Sequence, residues 1–538
     1  MTAPGTHPPN PPNPPNRPDP GTPVGAAGAG GPAGSAERDG WRRLDKRTVV
    51  VTALLMAGVS VGAGMPVFVG LAGTMAVGQA FGLVMAGAVL LITGAAGADH
   101  VRWRRTRYRV GPERAELHTG LLLVKRRSLA RERIRSVDLT AHPLLRVLGL
   151  VKVRIGTGEH TGGGESTLEL DPVTRAEGER LRRALLDRAP ARGDGGPTEG
   201  QLATLDPAWI RYAPVSFVAP LLGGAAAGGV MQVSDWFGAQ GEVIDWMGDR
   251  FQDTPVAWIV VTLTVAATLA GAIGALGLWV EMWWNYRLER EPGGTLRVRR
   301  GLFTARSLSI EERRLRGVEL VEPLGVRLCG GARIDAVATG LTKGEDDKHA
   351  DHRTLLPAVE RAVADDVAAR ILREPRSPTG APLTGHPRAA RARRLRRASA
   401  AALTPVVLLA LLGAAFTDVL LYIAGACALV LLPLAVALAL DAYRSLGHGI
   451  SGGYLLTRSG TLRRATVALQ RGGVIGWTVR QSYFQRRAGL ITLTATTAAG
   501  AGAYHVHDAD ESEALRFAAD AVPELLEPFL EGPRGQGT

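Results

Sequence analysis

The stretch RSLARERIRSVDLTAHPLLRVLGLVKVRI, residues 127–155, recurs in diverged form as RSLSIEERRLRGVELVEPLGVRLCGGARI, residues 306–334. Both stretches contain Arg-Ser-Leu, then a basic RIRSV or RLRGV, and then a glycine at the same distance after that motif. The stretch QSYFQRRAGLITLTATT, residues 481–497, keeps the basic turn and the glycine that precedes an alternating run. Self-similarity of this kind predicts one domain in three copies.

Each copy combines a strand pattern with a closing helix pattern. Apolar and polar residues alternate, as expected of strands, in VKVRIGT (151–157), ARIDAVA (332–338) and LITLTAT (490–496). Apolar residues recur at helical spacing in 175–189, 356–372 and 508–526. Asp508 and Asp510 are the candidate caps of the last helix. Each copy is therefore predicted to be a bent antiparallel β-sheet with a C-terminal α-helix over its open end.

Six apolar runs are long enough to cross the hydrocarbon core of a bilayer as helices. They fall into three pairs, which predicts an integral membrane protein with three transmembrane hairpins. The runs are 49–70, 75–97, 213–232, 256–280, 400–417 and 419–440. The residues predicted to pack helices closely are Gly58, Gly62, Gly271, Gly274 and Gly277. No Asp, Glu, His or Arg lies within the six runs, which weakens a transporter interpretation.

Positive charge flanks the hairpins on one side only. WRRLDKR (41–47), VRWRRTRYR (101–109) and RAARARRLRRAS (388–399) lie outside the pairs, whereas the connectors within pairs are nearly free of Lys and Arg. Lys and Arg accumulate on the cytoplasmic side of membrane proteins. We therefore expect a multi-pass protein of the cell (cytoplasmic) membrane with both termini and all three copies in the cytoplasm.

The motifs of the first copy resemble those of a known family. Tyr108 opens a strand, Gly120-Leu121 follows, and the basic RIRSV precedes Leu-Gly-Leu (148–150) and the strand VKVRI. This arrangement resembles the bacterial pleckstrin-homology-like (PH-like) domain of membrane proteins of the YdbS/YdbT type, which also alternate hairpins with such domains. The resemblance covers roughly residues 45–530. It implies a PH fold, a multi-pass membrane protein and no assigned enzymatic activity.

Composition argues against several functional classes. The two cysteines, Cys329 and Cys427, cannot form a disulfide framework or a cysteine metal site. Lys and Arg exceed Asp and Glu by 13, which favours an anionic partner. Nucleic acid is not the expected partner, because only 5% of the residues are aromatic. No cofactor is expected.

Four motifs invite a catalytic or ligand-binding interpretation. GVSVG (58–62) matches a nucleophile elbow but lies within a span, so helix packing is favoured. His505 and His507 could share a metal ion, but no third ligand is evident, so a solvated strand end is favoured. KGEDDKHADHR (343–353) is interpreted as a surface loop, and GTGEHTGGG (156–164) as a hairpin loop, because no Walker lysine follows it. We expect no enzyme activity.

Basic clusters near the strand turns supply the candidate contact residues. Anionic headgroups attract Lys and Arg near the membrane by about 1 kcal/mol per residue. The alternatives are a solvated surface, charge that only sets topology, and a protein partner such as a second PH-like membrane protein. The candidates are Lys125, Arg126, Arg127, Arg131, Arg133, Arg313, Arg314, Arg316, Arg486 and Arg487. Tyr483 and Phe484 align with Leu144 and Leu145 and are predicted to be buried.

These patterns together predict the organisation and the function. The segments are a disordered Pro/Gly-rich tail (1–40), hairpin 1 (48–98), PH-like domain 1 (104–190), a linker (191–208), hairpin 2 (210–282), PH-like domain 2 (286–373), a basic linker (374–397), hairpin 3 (399–441) and PH-like domain 3 (452–531). We expect a noncatalytic membrane scaffold that presents three domains to lipid headgroups or to a partner membrane protein. The alternative is a transport or envelope-export component that uses the six-helix region.

Overall fold

The computed structural model describes residues 40–111, 113–120, 125–134, 136–156, 167–186, 200–216, 218–339 and 353–526. The predicted tail lies outside these residues except for Gly40. Most of the two predicted loops and of the first linker also lie outside them: 157–164, 343–352 and 191–199. Over the described residues one order of elements occurs three times: a helical hairpin, six strands with a short helix after the fourth, and a closing helix. We call each occurrence a module.

The first module buries its alternating apolar residues in a core of its own, around Tyr108, Val137, Val153 and Leu181. Its short strand β1 precedes the hairpin and pairs with the first strand after it. The elements are β1 (Arg42–Arg43), α1 (Thr48–Ala72), α2 (Val77–Arg105), β2 (Arg107–Val110), β3 (Arg114–Thr119), β4 (Lys125–Ala130), β5 (Ser136–Ala141), α3 (Pro143–Val147), β6 (Leu150–Gly156), β7 (Thr167–Thr174) and α4 (Arg175–Leu186).

The second module, like the first, has a strand before its hairpin, and it adds a helix, α6, in the connector of that hairpin. The elements are β8 (Gly200–Thr204), α5 (Val218–Trp236), α6 (Gln240–Phe251), α7 (Val256–Trp283), β9 (Arg287–Glu291), β10 (Thr295–Arg300), β11 (Ala305–Glu311), β12 (Leu315–Pro323), α8 (Leu324–Leu328), β13 (Gly331–Ala338), β14 (Thr354–Glu360) and α9 (Arg361–Leu372). Its core includes Tyr454, Leu456 and Ala468, which belong to the third module. The two modules therefore share a core.

The third module begins with a helix that runs through the basic segment and continues through the apolar run that follows it. Its helices meet at Thr417, whose Oγ1 accepts a hydrogen bond from the Val419 amide (3.3 Å) and caps the second helix. The elements are α10 (Arg388–Phe416), α11 (Asp418–Arg444), β15 (Gly447–Ser451), β16 (Tyr454–Ser459), β17 (Arg463–Gln470), β18 (Val474–Arg480), α12 (Tyr483–Arg486), β19 (Leu490–Thr497), β20 (Ala503–Asp510), α13 (Glu511–Ala521) and α14 (Pro523–Leu526). Strand β15 precedes the predicted domain boundary at 452.

The sheets cross the module boundaries. The strand orders are β1-β2-β3-β4, β7-β6-β5-β11-β10-β9-β8, β14-β13-β12-β17-β16-β15 and β18-β19-β20. The last three strands of each of the first two modules thus continue into the first three strands of the next module. The prediction of one separate sheet per copy is wrong for this reason, whereas the antiparallel strands and the closing helices are confirmed.

Five described helices are long and apolar enough to cross a membrane: α1, α2, α7, α10 and α11. The sixth predicted span corresponds to α5, which is 19 residues long and does not meet the same criterion. The membrane character of the chain is confirmed.

Of the glycines predicted to pack helices closely, only two, both in hairpin 2, lie close to a neighbouring helix. A Cβ at Gly271 of α7 would lie 2.0 Å from the Ala219 carbonyl oxygen of α5, and one at Gly274 would lie 3.3 Å from Leu222. A Cβ at Gly58, Gly62 or Gly277 would meet nothing within 4 Å. The prediction for these three glycines is wrong, because those helix faces have no close neighbour.

Candidate functional site

Successive modules join by the same strand pairing. At junction 1, β5 of the first module pairs with β11 of the second, and Val137 lies opposite Ser309. At junction 2, β12 of the second module pairs with β17 of the third, and Val318 lies opposite Ala468. In each module a short 3₁₀ turn separates the third strand from the fourth. Val137 and Val318 lie at the same distance after the turn of their own module, and Ser309 and Ala468 lie at the same distance before the turn of theirs. The two junctions therefore have one register.

Buried ion pairs reinforce junction 2. Glu322 of β12 is 2% exposed, and it accepts hydrogen bonds from the guanidinium of Arg464 in β17 at 2.7 and 2.8 Å. Arg361 of α9 donates to the same carboxylate at 3.0 Å. Arg463 of β17 lies 2.9 Å from Glu319 of β12. Acidic side chains of one module thus meet basic side chains of the next.

Junction 1 has a comparable network between α4 and the strands of the second module. Arg182 of α4 is 5% exposed and lies 2.7 Å from Glu291 of β9. Arg297 of β10 is 3% exposed and donates to both Glu291 and Glu179. Burial alone would raise the pKa of Glu179, but hydrogen bonds and charge from Arg297 outweigh it, so the pKa lies below its ordinary value.

The short helices α3 and α8 lie at the bases of the membrane hairpins. Arg47, directly before α1, donates from Nη1 to the carbonyl of Leu148 at the end of α3 (2.9 Å). A Cβ at Gly325 of α8 would lie 2.0 Å from the carbonyl oxygen of Val215, just ahead of α5. On their free sides these helices expose Val147 (84%) and Leu328 (77%). Two short helices therefore present apolar side chains beside the points where the chain enters a hairpin.

The same helices also contact the next module close to the end of its hairpin. The Arg146 guanidinium of α3 donates to the carbonyl of Leu302 in the β10–β11 turn, and the Leu302 amide donates to the Glu281 carbonyl near the end of α7. Arg327 of α8 lies 2.8 Å from Asp441 in the last turn of α11. One arginine in each short helix thus bridges to the following module.

The predicted basic contact residues occupy different environments. Arg126 and Arg313 are exposed, and so are Arg486 and Arg487 of the third module. Arg127 and Arg316 are partly buried, and Arg316 lies beside Gly473 of the third module. The side chains of Lys125 and Arg133 lie outside the described residues.

Two candidates have structural partners. Arg314 is 5% exposed and its Nε donates to Glu311 at 2.7 Å, so its predicted contact role is wrong and it forms a buried ion pair. Arg131 is partly buried and its Nη2 donates to the carbonyl of Ala184 in the last turn of α4. A cation at this helix end is favourable because the carbonyls there carry partial negative charge.

A buried polar cluster ties hairpin 3 to its own sheet. Asp508 is 2% exposed and pairs with Arg393 and Arg394 near the start of α10. Gln485 of α12 also donates to Asp508 (3.0 Å), and His386 Nδ1 lies 3.2 Å from the Asp508 carbonyl. Asp510, the other candidate cap, accepts hydrogen bonds from two amides and caps α13.

Two imidazoles meet nearly at right angles within this cluster. His448 Nδ1 lies 3.2 Å from His386 Nε2, and the ring of His448 packs edge-on against Phe517. Burial, followed by the proximity of His448, lowers the pKa of His386 to about 4. Burial also lowers the pKa of His448. Both imidazoles are therefore neutral at pH 7.

The motifs considered for catalysis or metal binding have ordinary structural environments where they are described. Ser60 of GVSVG lies inside α1 and donates to the Met56 carbonyl (2.8 Å), so no strand-turn-helix elbow surrounds it. His505 and His507 stack at 5.2 Å between ring centroids, and His505 contacts Thr494. Within the described residues no group of three or more His, Cys, Asp or Glu could hold a metal ion.

Comparison with known proteins agrees with the resemblance found in the sequence. The family model for the bacterial PH domain matches residues 62–189 and 406–521. The UPF0699 transmembrane protein YdbT of Bacillus subtilis (strain 168) is 22% identical over 412 residues, which cover 74% of this chain and 80% of that protein. The chain is similar to YdbT-like membrane proteins with bacterial PH domains. No solved structure matches it.

The third PH-like module differs from the prediction at its short helix. Tyr483 is 67% exposed and Phe484 is 69% exposed, so the prediction that they are buried is wrong. Gln485 takes the buried place that Leu145 has in α3. The cause is a capping box, in which Ser482 and Gln485 bond each other's amides and fix the start of α12. The spacing of Ser482 and Gln485 was the signal for this register.

A further surface is exposed at the end of the third PH-like module. It comprises the outer edge of β18 and the helix α12, and we call it the terminal face. Its exposed side chains are Ile475, Val479, Tyr483, Phe484 and Arg486. In the first two modules the corresponding strands β5 and β12 are covered by the next module.

Proposed function

We propose that this protein is a noncatalytic scaffold of the cytoplasmic membrane, with six spans in three hairpins and three PH-like domains on the cytoplasmic side. The observation that carries the proposal is the strand pairing at junctions 1 and 2. Because these pairings and their ion pairs are buried, the domains form one row instead of moving independently. A rigid row fixed to the membrane is suited to holding lipids or proteins at set spacing.

The charge distribution supports the orientation. Helix α10 begins with the basic run 388–399 and then continues as an apolar helix without a break. The connector of hairpin 2 is acidic and aromatic, with Glu242 and Trp246 exposed at the far end of that hairpin from the sheets. A basic end beside the domains and an acidic end opposite them fit cytoplasmic domains.

The short helices support contact with lipid headgroups. Val147 and Leu328 are exposed beside the hairpin bases, where headgroups lie, and Arg486 and Arg487 are exposed on the third short helix. Apolar side chains flanked by arginine suit the interfacial region, because the apolar part leaves water while the charge stays near phosphate. Anionic lipid is therefore the proposed ligand of these helices.

A transport role has less support. Within the apolar windows of the five membrane helices, only 6–17% of the residues are buried. Each hairpin packs mainly within itself, in the pairs α1 with α2, α5 with α7 and α10 with α11. A pore or substrate path would need helices from different hairpins around a polar cavity.

Hydrogen exchange in nanodiscs tests the lipid contact. We expect the amides of the short helices (143–147, 324–328 and 483–486) to exchange more slowly when the purified full chain is placed in anionic instead of zwitterionic lipid. The variant Arg487→Gln should lose this difference at α12 alone. The control Arg516→Gln removes a charge from α13 and should change nothing at α12. Equal exchange in both lipids at all three helices would refute the headgroup contact.

A further inference from the structure

The terminal face consists of the same elements, a fourth strand and the short helix after it, that contact the next module at junctions 1 and 2. We propose that it docks the first strands and the hairpin end of a PH-like module in a second, different polypeptide, by antiparallel addition to β18. This inference rests on the proposed scaffold function and names its partner class.

The register of the internal junctions predicts how the partner strand would lie. Trp477 of β18 has the same position after the 3₁₀ turn as Val137 of β5 and Val318 of β12. Those two residues lie opposite Ser309 and Ala468 of the following modules. Strand β18 pairs with β19 on one side, and in the described part of the chain no strand pairs with its other side. An open edge of this kind is a template for one more strand.

One position of the fourth strand is buried at both junctions but exposed on the terminal face. Leu139 at junction 1 is 6% exposed, and Leu320 at junction 2 is 0% exposed. Val479 holds the same position in β18 and is 48% exposed. Leu320 belongs to a core that includes Leu456 and Ala468 of the following module. Val479 would be covered if another such module followed.

The arginine of the short helix gives a second, independent indication. Arg327 bridges to Asp441 at the end of the next module's hairpin, and Arg146 donates to Leu302 in the β10–β11 turn, whose amide donates to the Glu281 carbonyl near the end of α7. Arg486 has the same place in α12 and is exposed, and none of the ion pairs among the described residues includes it. A carboxylate or a free carbonyl at the cytoplasmic end of a partner's hairpin would complete the pattern.

The identity of the opposing residues argues against a second copy of this chain. Among the described strands, the third strands β11 and β17 of the later modules are paired with the preceding module, whereas the equivalent strand β4 of the first module lies at a sheet edge. At this register position Ser307 lies opposite Leu139 in junction 1, and Thr466 lies opposite Leu320 in junction 2. If β4 paired with β18 in the same register, Arg126 would lie opposite Val479. Moving an arginine into that buried place is unfavourable, because its charge would lose water without gaining a partner. The partner strand therefore carries small, uncharged residues there and comes from another membrane protein.

Photocross-linking on the full chain in native membranes tests the proposal. A benzophenone amino acid replaces the exposed Thr478, and the cross-linked peptide is identified by mass spectrometry. We expect a peptide from a membrane protein that has a hairpin followed by a strand with small, uncharged residues at the register position. An adduct with a second copy of this chain, an adduct with lipid, or no adduct would each overturn the proposal.

Two charge substitutions on the same strand supply a matched comparison. Val479→Arg places a charge at the position buried in both junctions and should lower the cross-link yield at least about tenfold. Ile475→Arg should leave the yield unchanged, because the equivalent residue at junction 2 is Arg316. Both native residues are exposed, so neither change should impair folding. Equal yields for the two variants would contradict the register. If the cross-link fails but amide exchange at α3 and α8 still depends on the lipid, the docking proposal is wrong while the proposed scaffold function remains.

Discussion

Arg464 and Glu322 lie in adjacent strands of one sheet although 142 residues separate them in the chain. The guanidinium of Arg464 donates two hydrogen bonds to the carboxylate, at 2.7 and 2.8 Å. This two-point geometry restrains the two side chains at one register position of the antiparallel pair β12–β17. The contact is a direct link between the second and third modules, and its removal should loosen the junction locally.

Glu322→Ala should destabilise junction 2. The substitution leaves Arg464 and Arg361 without their shared carboxylate in a largely buried site, and breaking such a pair costs about 3 kcal/mol. We expect amide exchange in β12 and β17 to accelerate on the order of a hundredfold, measured by mass spectrometry of the intact protein.

The matched control for this substitution is Arg370→Ala. The Arg370–Asp366 pair has a similar distance, 2.8 Å, but both side chains are exposed. Exposed pairs contribute little, so exchange should be nearly unchanged. Equal acceleration in both variants would mean that the buried pair does not hold the junction.

The sequence alone predicted the elements better than their partners. Long charge-free runs and alternating segments depend on local composition, so hairpins and strands such as β6, β13 and β19 were predictable. The pairing of β12 with β17 was not, because β5, β12 and β18 carry similar patterns and local periodicity does not choose among open edges. The prediction of Tyr483 as buried is wrong for a local reason, because the capping box of Ser482 and Gln485 sets the start of α12 and leaves Tyr483 exposed.

Hairpin 2 should be sensitive to side-chain size at one glycine and not at another. Gly271→Ala would place a Cβ 2.0 Å from the Ala219 carbonyl oxygen, so α5 and α7 would have to separate. We expect a loss of about 1–3 kcal/mol, measured by thermal unfolding in nanodiscs. Gly277→Ala meets nothing within 4 Å and should be neutral or slightly stabilising. A Gly271→Ala variant as stable as Gly277→Ala would contradict the close helix contact.

The proposed orientation can be measured with the cysteines of the chain. Cys329 follows α8 and is exposed, and Cys427 lies in α11 and is replaced by serine in the test background. A membrane-impermeant maleimide should label Gly241→Cys, in the connector of hairpin 2, on intact cells. It should label Cys329 only after the membrane is permeabilised. Labelling of Cys329 on intact cells would reverse the proposed topology.

The histidine pair should make the third module sensitive to acid. His386 has a pKa of about 4 in the folded protein and about 6.5 when unfolded, so between these values the unfolded state binds more protons. The stability contributed by neutral His386 is present above pH 6.5 and falls as pH drops toward 4, by about 3 kcal/mol. The exchange of β15, corrected for intrinsic rates, should therefore accelerate between pH 7 and pH 5.

The variant His386→Gln separates this cause from general acid sensitivity. Glutamine does not titrate, so the acceleration in β15 should become smaller, while His448, which is also buried and neutral, maintains part of it. Strands β5 and β6 of the first module lie outside this cluster and provide the internal reference. If His386→Gln kept the full pH dependence, the buried imidazole of His386 would not be its source.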